Sequence, residues 1–157
     1  MNLMLMQQGH PMWCKTIAFA QKCSWKAGPY LATRMKKNEF NTWERVIVDT
    51  EGNSIAGYCT VSEKDELPDE YDFTPLIGCV FVDEKYRGHR VSEKMIEQAC
   101  CYAKELGYSK VFIMSGEKGL YEKYGFKKLG DYKTVYGTTD QLFSKELCFY
   151  DLVGIVK

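Results

Sequence analysis

Two hydrophobic periods alternate along this chain. Between Met12 and Lys26 the residues Trp13, Ile17, Phe19, Ala20 and Cys23 recur at mostly helical steps, and Gly28 ends the run. Pro29 suits the first turn of a second short helix over Tyr30 to Lys37. From Trp43 the pattern becomes strand-like: Arg45 to Thr50, turn chemistry at Glu51-Gly52-Asn53, then Ser54 to Val61, which together predict a hairpin. Met1 to Met6 is a short apolar segment that fits an edge strand.

Leu76 to Val82 is nearly all apolar, the mark of a strand covered on both faces. A basic, glycine-bearing turn follows. Val91, Met95, Ala99, Tyr102, Ala103 and Leu106 then recur at three- and four-residue steps, and Gly107 closes that helix. Lys110 to Met114 is a further buried strand. Strand, helix and strand of these lengths form a right-handed crossover between parallel strands. Gly119 to Tyr124 reads as a short helix closed by Gly125, and Phe126 to Lys133 and Glu146 to Val153 as the last strands. With 157 residues and no repeat or low-complexity linker, one domain is expected over 1–157.

The turn at Arg87 to Ser92 is the most chemically informative segment. The first helical turn leaves main-chain N–H groups without intrahelical partners, and the helix dipole adds positive potential there. Arg87, His89 and Arg90 add side chains suited to phosphate oxygens. A phosphate-bearing ligand is therefore expected.

Composition narrows the alternatives. Lys+Arg and Asp+Glu are both 21, so a general nucleic-acid binder, which carries a basic excess, is disfavoured. The seven cysteines are odd in number, lack a Cys-x-x-Cys pair and sit mostly in apolar runs, as in a reducing cytoplasm. The two histidines, His10 and His89, give no metal-ligand cluster, and no metal is expected. No signal peptide and no apolar run of roughly 20 residues is seen, so a cytoplasmic protein without a membrane partner is expected.

Two motifs carry a family resemblance. Tyr86-Arg87-Gly88-His89-Arg90-Val91-Ser92 stands directly after a buried strand, where the GCN5-related N-acetyltransferases (GNAT) read Arg/Gln-x-x-Gly-x-Gly/Ala. Arg90 stands at that pattern's glycine and Ser92 at its glycine or alanine. Tyr121-Glu122-Lys123-Tyr124-Gly125-Phe126 resembles the family's Tyr-x-x-x-Gly-Phe helix. The two occur in the family's order around the crossover.

The resemblance implies an α/β (α+β) fold: a mixed, mostly antiparallel sheet, flanked by helices, whose parallel β-α-β crossover carries the cofactor loop. Residues 43–153 would be the cofactor-binding core and 1–42 the substrate-side helices. It also implies acetyl-CoA as co-substrate, its diphosphate on Arg87, Gly88, His89, Arg90, Val91 and Ser92, and its pantetheine beside Val80, Phe81 and Val82. If the Arg90 position needs a positive φ, a side chain there costs roughly 1 kcal/mol or more. The expectation is that it does not, so that Arg90 serves as a second cation.

The implied reaction moves an acetyl group to the primary amine of a small molecule or peptide, the former favoured because no extended docking surface is evident. The expected mode is direct attack in a ternary complex. Tyr121 matches the family's proton donor to the departing thiol, with Tyr124 read as core. Glu63, Asp65, Glu66, Asp69, Glu70 and Asp72 form an acidic run before the central strand. A solvated loop is its usual meaning, but it feeds the acceptor side, and Glu70 and Asp72 are the expected acceptor-binding carboxylates. Cys79 is read as packing, as are Trp13, Trp25, Tyr30 and Trp43 for the most part, some of which would line an acceptor pocket. A non-catalytic acyl-CoA sensor on the same fold is the competing reading; a homodimer is left open.

Overall fold

A computed structural model describes residues 2–147. Seven strands form one sheet in the order β1-β2-β3-β4-β5-β7-β6. The strands are β1 Asn2–Met6, β2 Arg45–Glu51, β3 Ser54–Ser62, β4 Leu76–Val82, β5 Lys110–Ser115, β6 Lys127–Lys133 and β7 Thr139–Glu146. Every neighbouring pair is antiparallel except β4 and β5. The expected hairpin, crossover and mixed sheet are all present.

Among the described residues four helices flank the sheet: α1 Trp13–Lys22, α2 Ala27–Lys36, α3 Val91–Glu105 and α4 Leu120–Lys123. Helix α3 turns Val91, Met95, Ile96, Ala99 and Ala103 onto one face of the sheet, against Ile47, Cys59, Val61, Ile77 and Ile113. Each large side chain fully buried this way contributes roughly 1.5–3 kcal/mol. Helices α1 and α2 cover the opposite face through Trp13, Ala20, Leu31 and Met35, against Met6, Val46, Val48 and Tyr58. Among the described residues no helix is long and apolar enough to cross a membrane.

Two expectations change. Helix α1 ends at Lys22, because Cys23 is extended, and α2 starts at Ala27, ahead of Pro29. Proline is tolerated there because first-turn N–H groups have no intrahelical acceptor to lose. Gly28 is required by packing: a Cβ would lie 2.3 Å from both the Ala20 carbonyl oxygen and the Cys23 sulfur.

The second change concerns the end of the chain. Thr139–Glu146, read from sequence as a loop, is a full strand wedged between β5 and β6. Its apolar content is confined to Leu142 and Phe143, both buried, within an otherwise polar segment. The expected strand over Glu146 to Val153 lies mainly outside the described residues.

Candidate functional site

The site begins with a fault in the central strand. The β3–β4 register shifts between Tyr58 and Thr60, and Cys79, opposite that shift, has φ of +52°. This is a β-bulge, which bends the strand and interrupts its ladder. On its other side β4 pairs with β5 only at Leu76–Phe112 and Ile77–Ile113. Beyond Ile77 the two parallel strands part, so the main chain of Val80 to Val82 has no strand partner toward β5. A cleft opens at the divergence.

The cleft is a cavity of about 740 Å³. One wall is Val80, Phe81 and Val82; the far end is Arg87, Gly88, Arg90, Val91 and Ser92; Leu120 and Tyr121 of α4 close it, with Tyr124 just after that helix. Thus eight of the nine residues expected to hold the cofactor line one cavity. His89 does not line it and is exposed.

The chain turns from β4 into α3 through one 3₁₀ turn at Glu84–Tyr86, anchored by the buried Tyr86 ring. Gly88 has φ of +85° and Arg90 φ of +62°. The expectation that Arg90 avoids the left-handed region is therefore corrected. This is the position where the motif has glycine, and the turn needs that backbone conformation whichever residue occupies it. Among the described residues no side chain caps the N-terminus of α3, which leaves its first-turn N–H groups to a ligand. Arg87 is braced by donating from Nε to the Val82 carbonyl, at 3.1 Å. Arg90 remains largely exposed and forms a 3.4 Å ion pair with Glu93. Ser92 shares a 2.8 Å hydroxyl hydrogen bond with Tyr124, tying α3 to α4 and giving Tyr124 more than a core role. These donors, at one end of a long apolar-walled cleft, fit an anionic diphosphate carrying a slender arm.

Tyr121 sits where this cleft meets a second cavity of about 340 Å³, and it lines both. Its phenol is held above its ordinary pKa, first by burial, then by Cys59 and Glu117 nearby. It is therefore protonated throughout the physiological range.

Asp65, Glu66, Glu117 and Asp140 are the carboxylates lining the second cavity. Asp65 and Glu66 also line a third, of about 330 Å³, rimmed by Trp25, Tyr30 and Tyr136. The acidic run thus does reach the site, but through these members. Glu70 and Asp72, the residues expected there, are exposed and border none of the three cavities. The loop is fixed at its start by the buried Glu44, which accepts from the Glu63 N–H at 2.7 Å and pairs with Arg34 at 3.3 Å. Asp65 then lies flat on the bulge, because Gly78 has no side chain: a Cβ there would meet the Asp65 carboxyl at 2.4 Å. Burial pushes Asp65 up to about 6, against the lowering field of Arg34. Burial, followed by Asp65 and by Asp140 with a hydrogen bond to it, pushes Glu66 up to about 7. Asp140 was missed because it lies on the strand read as a loop; nothing in its local sequence marks it.

The Acetyltransferase (GNAT) domain model matches residues 42–128, more than half of the chain, and the chain belongs to that family. A curated relative, the uncharacterized N-acetyltransferase YhbS of Escherichia coli K12, is 29% identical over 93 residues, covering 59% of this chain and 54% of the relative. The chain therefore spans about half the length of the curated relatives it matches. Among solved structures, aminoglycoside 6'-acetyltransferase type Ii aligns with a TM-score of 0.74 at 13% identity, over 94% of this chain and 98% of that one. An aminoglycoside 6'-N-acetyltransferase complexed with coenzyme A gives 0.71 at 11% identity, with the same coverage. A GNAT acetyltransferase of Elizabethkingia anophelis with acetyl-CoA bound gives 0.62 at 18%, over 92% and 97%. At these identities the structures establish a shared fold.

Proposed function

We propose that this chain is an N-acetyltransferase that moves the acetyl group of acetyl-CoA to a primary amine of a small molecule, with donor and acceptor bound together. One observation carries the reading: a single cleft runs from the uncapped N-terminus of α3, past the unpaired edge of β4, to the Tyr121 phenol, and there meets a carboxylate-lined chamber. Acetyl-CoA would supply the activated acyl group. The family and its coenzyme-bound structural neighbours support that choice of donor.

The chain's own residues then have separable tasks. The α3 amides with Arg87 and Arg90 would hold the diphosphate. The edge of β4 past the bulge would accept the pantetheine arm, and a free N–H there would face the oxygen on which negative charge develops. Tyr121, kept as a phenol by burial, would present its O–H to the departing sulfur, whose basicity also rises in the same low-dielectric cleft. Asp65 and Glu66 would attract an ammonium group and exclude anionic acceptors. The enclosed size of the acceptor chambers, about 340 and 330 Å³, favours a small molecule over a peptide. Two structural neighbours bear names that specify an aminoglycoside, which is consistent with a cationic small-molecule acceptor.

The test is thiol release from acetyl-CoA with kanamycin, spermidine and tyramine as acceptors. Amine-dependent release is expected, and Tyr121→Phe should cut kcat by roughly 10²–10⁴ while coenzyme A affinity holds. If coenzyme A binds but neither the amines nor Tyr121→Phe alters any rate, the chain is an acyl-CoA sensor instead.

A further inference from the structure

We propose that Glu66 is the base that takes a proton from the acceptor ammonium, and that Asp140 is the positioning residue that prepares it. The proposal rests on the acetyltransferase reading and deepens it.

Glu66 lines both acceptor chambers, and it shares the inner one with Tyr121 and the bulge residues Cys79 and Val80. A base and an acid thus border one chamber from opposite elements, the acidic loop and α4. The hairpin between β6 and β7 fixes Glu66 in place: the Val135 N–H donates to the Glu66 carbonyl at 2.7 Å, and Leu67 beside it is buried. That hairpin also delivers Asp140, whose carboxyl hydrogen-bonds the Glu66 carboxyl. The neighbouring Gln141 amide donates to the carbonyls of Ser115 and Glu117, at 3.2 and 3.0 Å, locking this end of β7 to the segment after β5. Three chain segments, distant in sequence, converge on two carboxyl groups.

A carboxylate set against a second one ionises less readily, because the two like charges repel at close range. A base is most effective when its proton affinity lies near working pH. Glu66 meets that condition at about 7. Asp65 is lower, at about 6, and more enclosed, pressed on Gly78 and lowered by Arg34. The other groups facing this space are Lys26 at the rim, Glu117 after β5, the Cys79 thiol, and the phenols of Tyr30, Tyr121 and Tyr136. Lys26 is the one cation among them, and it stands at the outer chamber, away from Asp140.

The step balances within the chain and solvent. The acceptor's N–H proton passes to the ionised Glu66 carboxylate, the freed lone pair forms the C–N bond, and the C–S bond breaks with its electron pair on sulfur. Tyr121 covers that sulfur with its phenol proton, the second N–H proton shed by the new amide nitrogen passes through water to restore the phenol, and Glu66 returns its own proton to solvent.

The test has two readouts on the full chain. In the first, the side-chain carboxyl of Glu66 is followed by carbon NMR through a pH titration, without acceptor. The wild type should titrate near 7, and Asp140→Asn should lower that value, because it removes the like charge. In the second, thiol release with kanamycin, spermidine and tyramine is measured against pH. Glu66→Gln should lose roughly 10²-fold or more in kcat at pH 7. The acid limb of Asp140→Asn should move to lower pH: where the wild type at pH 6 keeps about a tenth of its plateau rate, the variant should keep several times that share. Coenzyme A binding, measured by calorimetry on all three proteins, should be unchanged. A Glu66 carboxyl that titrates near 4, or is indifferent to Asp140→Asn, overturns the proposal. So does a rate loss in Asp65→Asn that Glu66→Gln does not share. Absence of coenzyme A binding in the wild type overturns the acetyltransferase reading itself.

Discussion

Replacing Arg90 by glycine should stabilise the fold and weaken the ligand site together. Arg90 holds φ +62° and ψ +27° at the N-cap of α3. A non-glycine residue pays roughly 1–2 kcal/mol in that region, and glycine returns about 0.5–1 kcal/mol of it through greater unfolded-state entropy. The net gain is about 0.5–1 kcal/mol. Little offsets it, because the Arg90 side chain is 80% exposed and its ion pair to Glu93 is long. For a chain of this length that is roughly 1–4 °C in Tm. Thermal unfolding without ligand, followed by circular dichroism, measures it. Arg90→Ala is the control: it deletes the charge but keeps the strain, so it should give no gain. If Arg90→Gly lowers Tm by several degrees, the turn does not need a left-handed residue and the geometry of the anion site is wrong.

Gly28→Ala would place a methyl 2.3 Å from the Ala20 carbonyl oxygen, a main-chain atom that cannot step aside. It should cost about 1–3 kcal/mol, read as a fall in urea midpoint. Asp65 bears on pH. Its folded-state value, about 6, lies above the ordinary 3.8, so its contribution is most favourable below about 4 and is lost as pH climbs through 6. Asp65→Asn should therefore gain on the wild type by up to about 3 kcal/mol between pH 4 and 7.5 in urea denaturation, and a constant difference across that range would contradict the burial argument.

The strand–turn–helix unit from Leu76 to Glu105 was legible because its signals are local: an apolar run, a glycine in a basic turn, and a clean helical stripe. Strand β7 was not, because its place between β5 and β6 is set by topology and its own residues are mostly polar. Arg90 misled for a related reason. A side chain does not announce that its backbone is strained, and only the turn geometry revealed it. The acceptor-side carboxylates show the same limit. Six acidic residues between Glu63 and Asp72 are equivalent as text, and what separates Asp65 and Glu66 from Glu70 and Asp72 is the absence of a Cβ at Gly78 and the reach of the β6–β7 hairpin. The bulge at Cys79, which opens the cleft, left no mark in a run of apolar letters.

The central claim is that main-chain donors at the head of α3 grip a diphosphate and so align a thioester with the unpaired edge of β4. Calorimetric titration of the full chain with coenzyme A, set beside pantetheine, tests it most directly. The account predicts saturable coenzyme A binding and an affinity for pantetheine at least roughly 100-fold weaker, since each charge-assisted hydrogen bond lost costs about 1.5–3 kcal/mol. Equal affinity for the two, or no heat from coenzyme A, would contradict it.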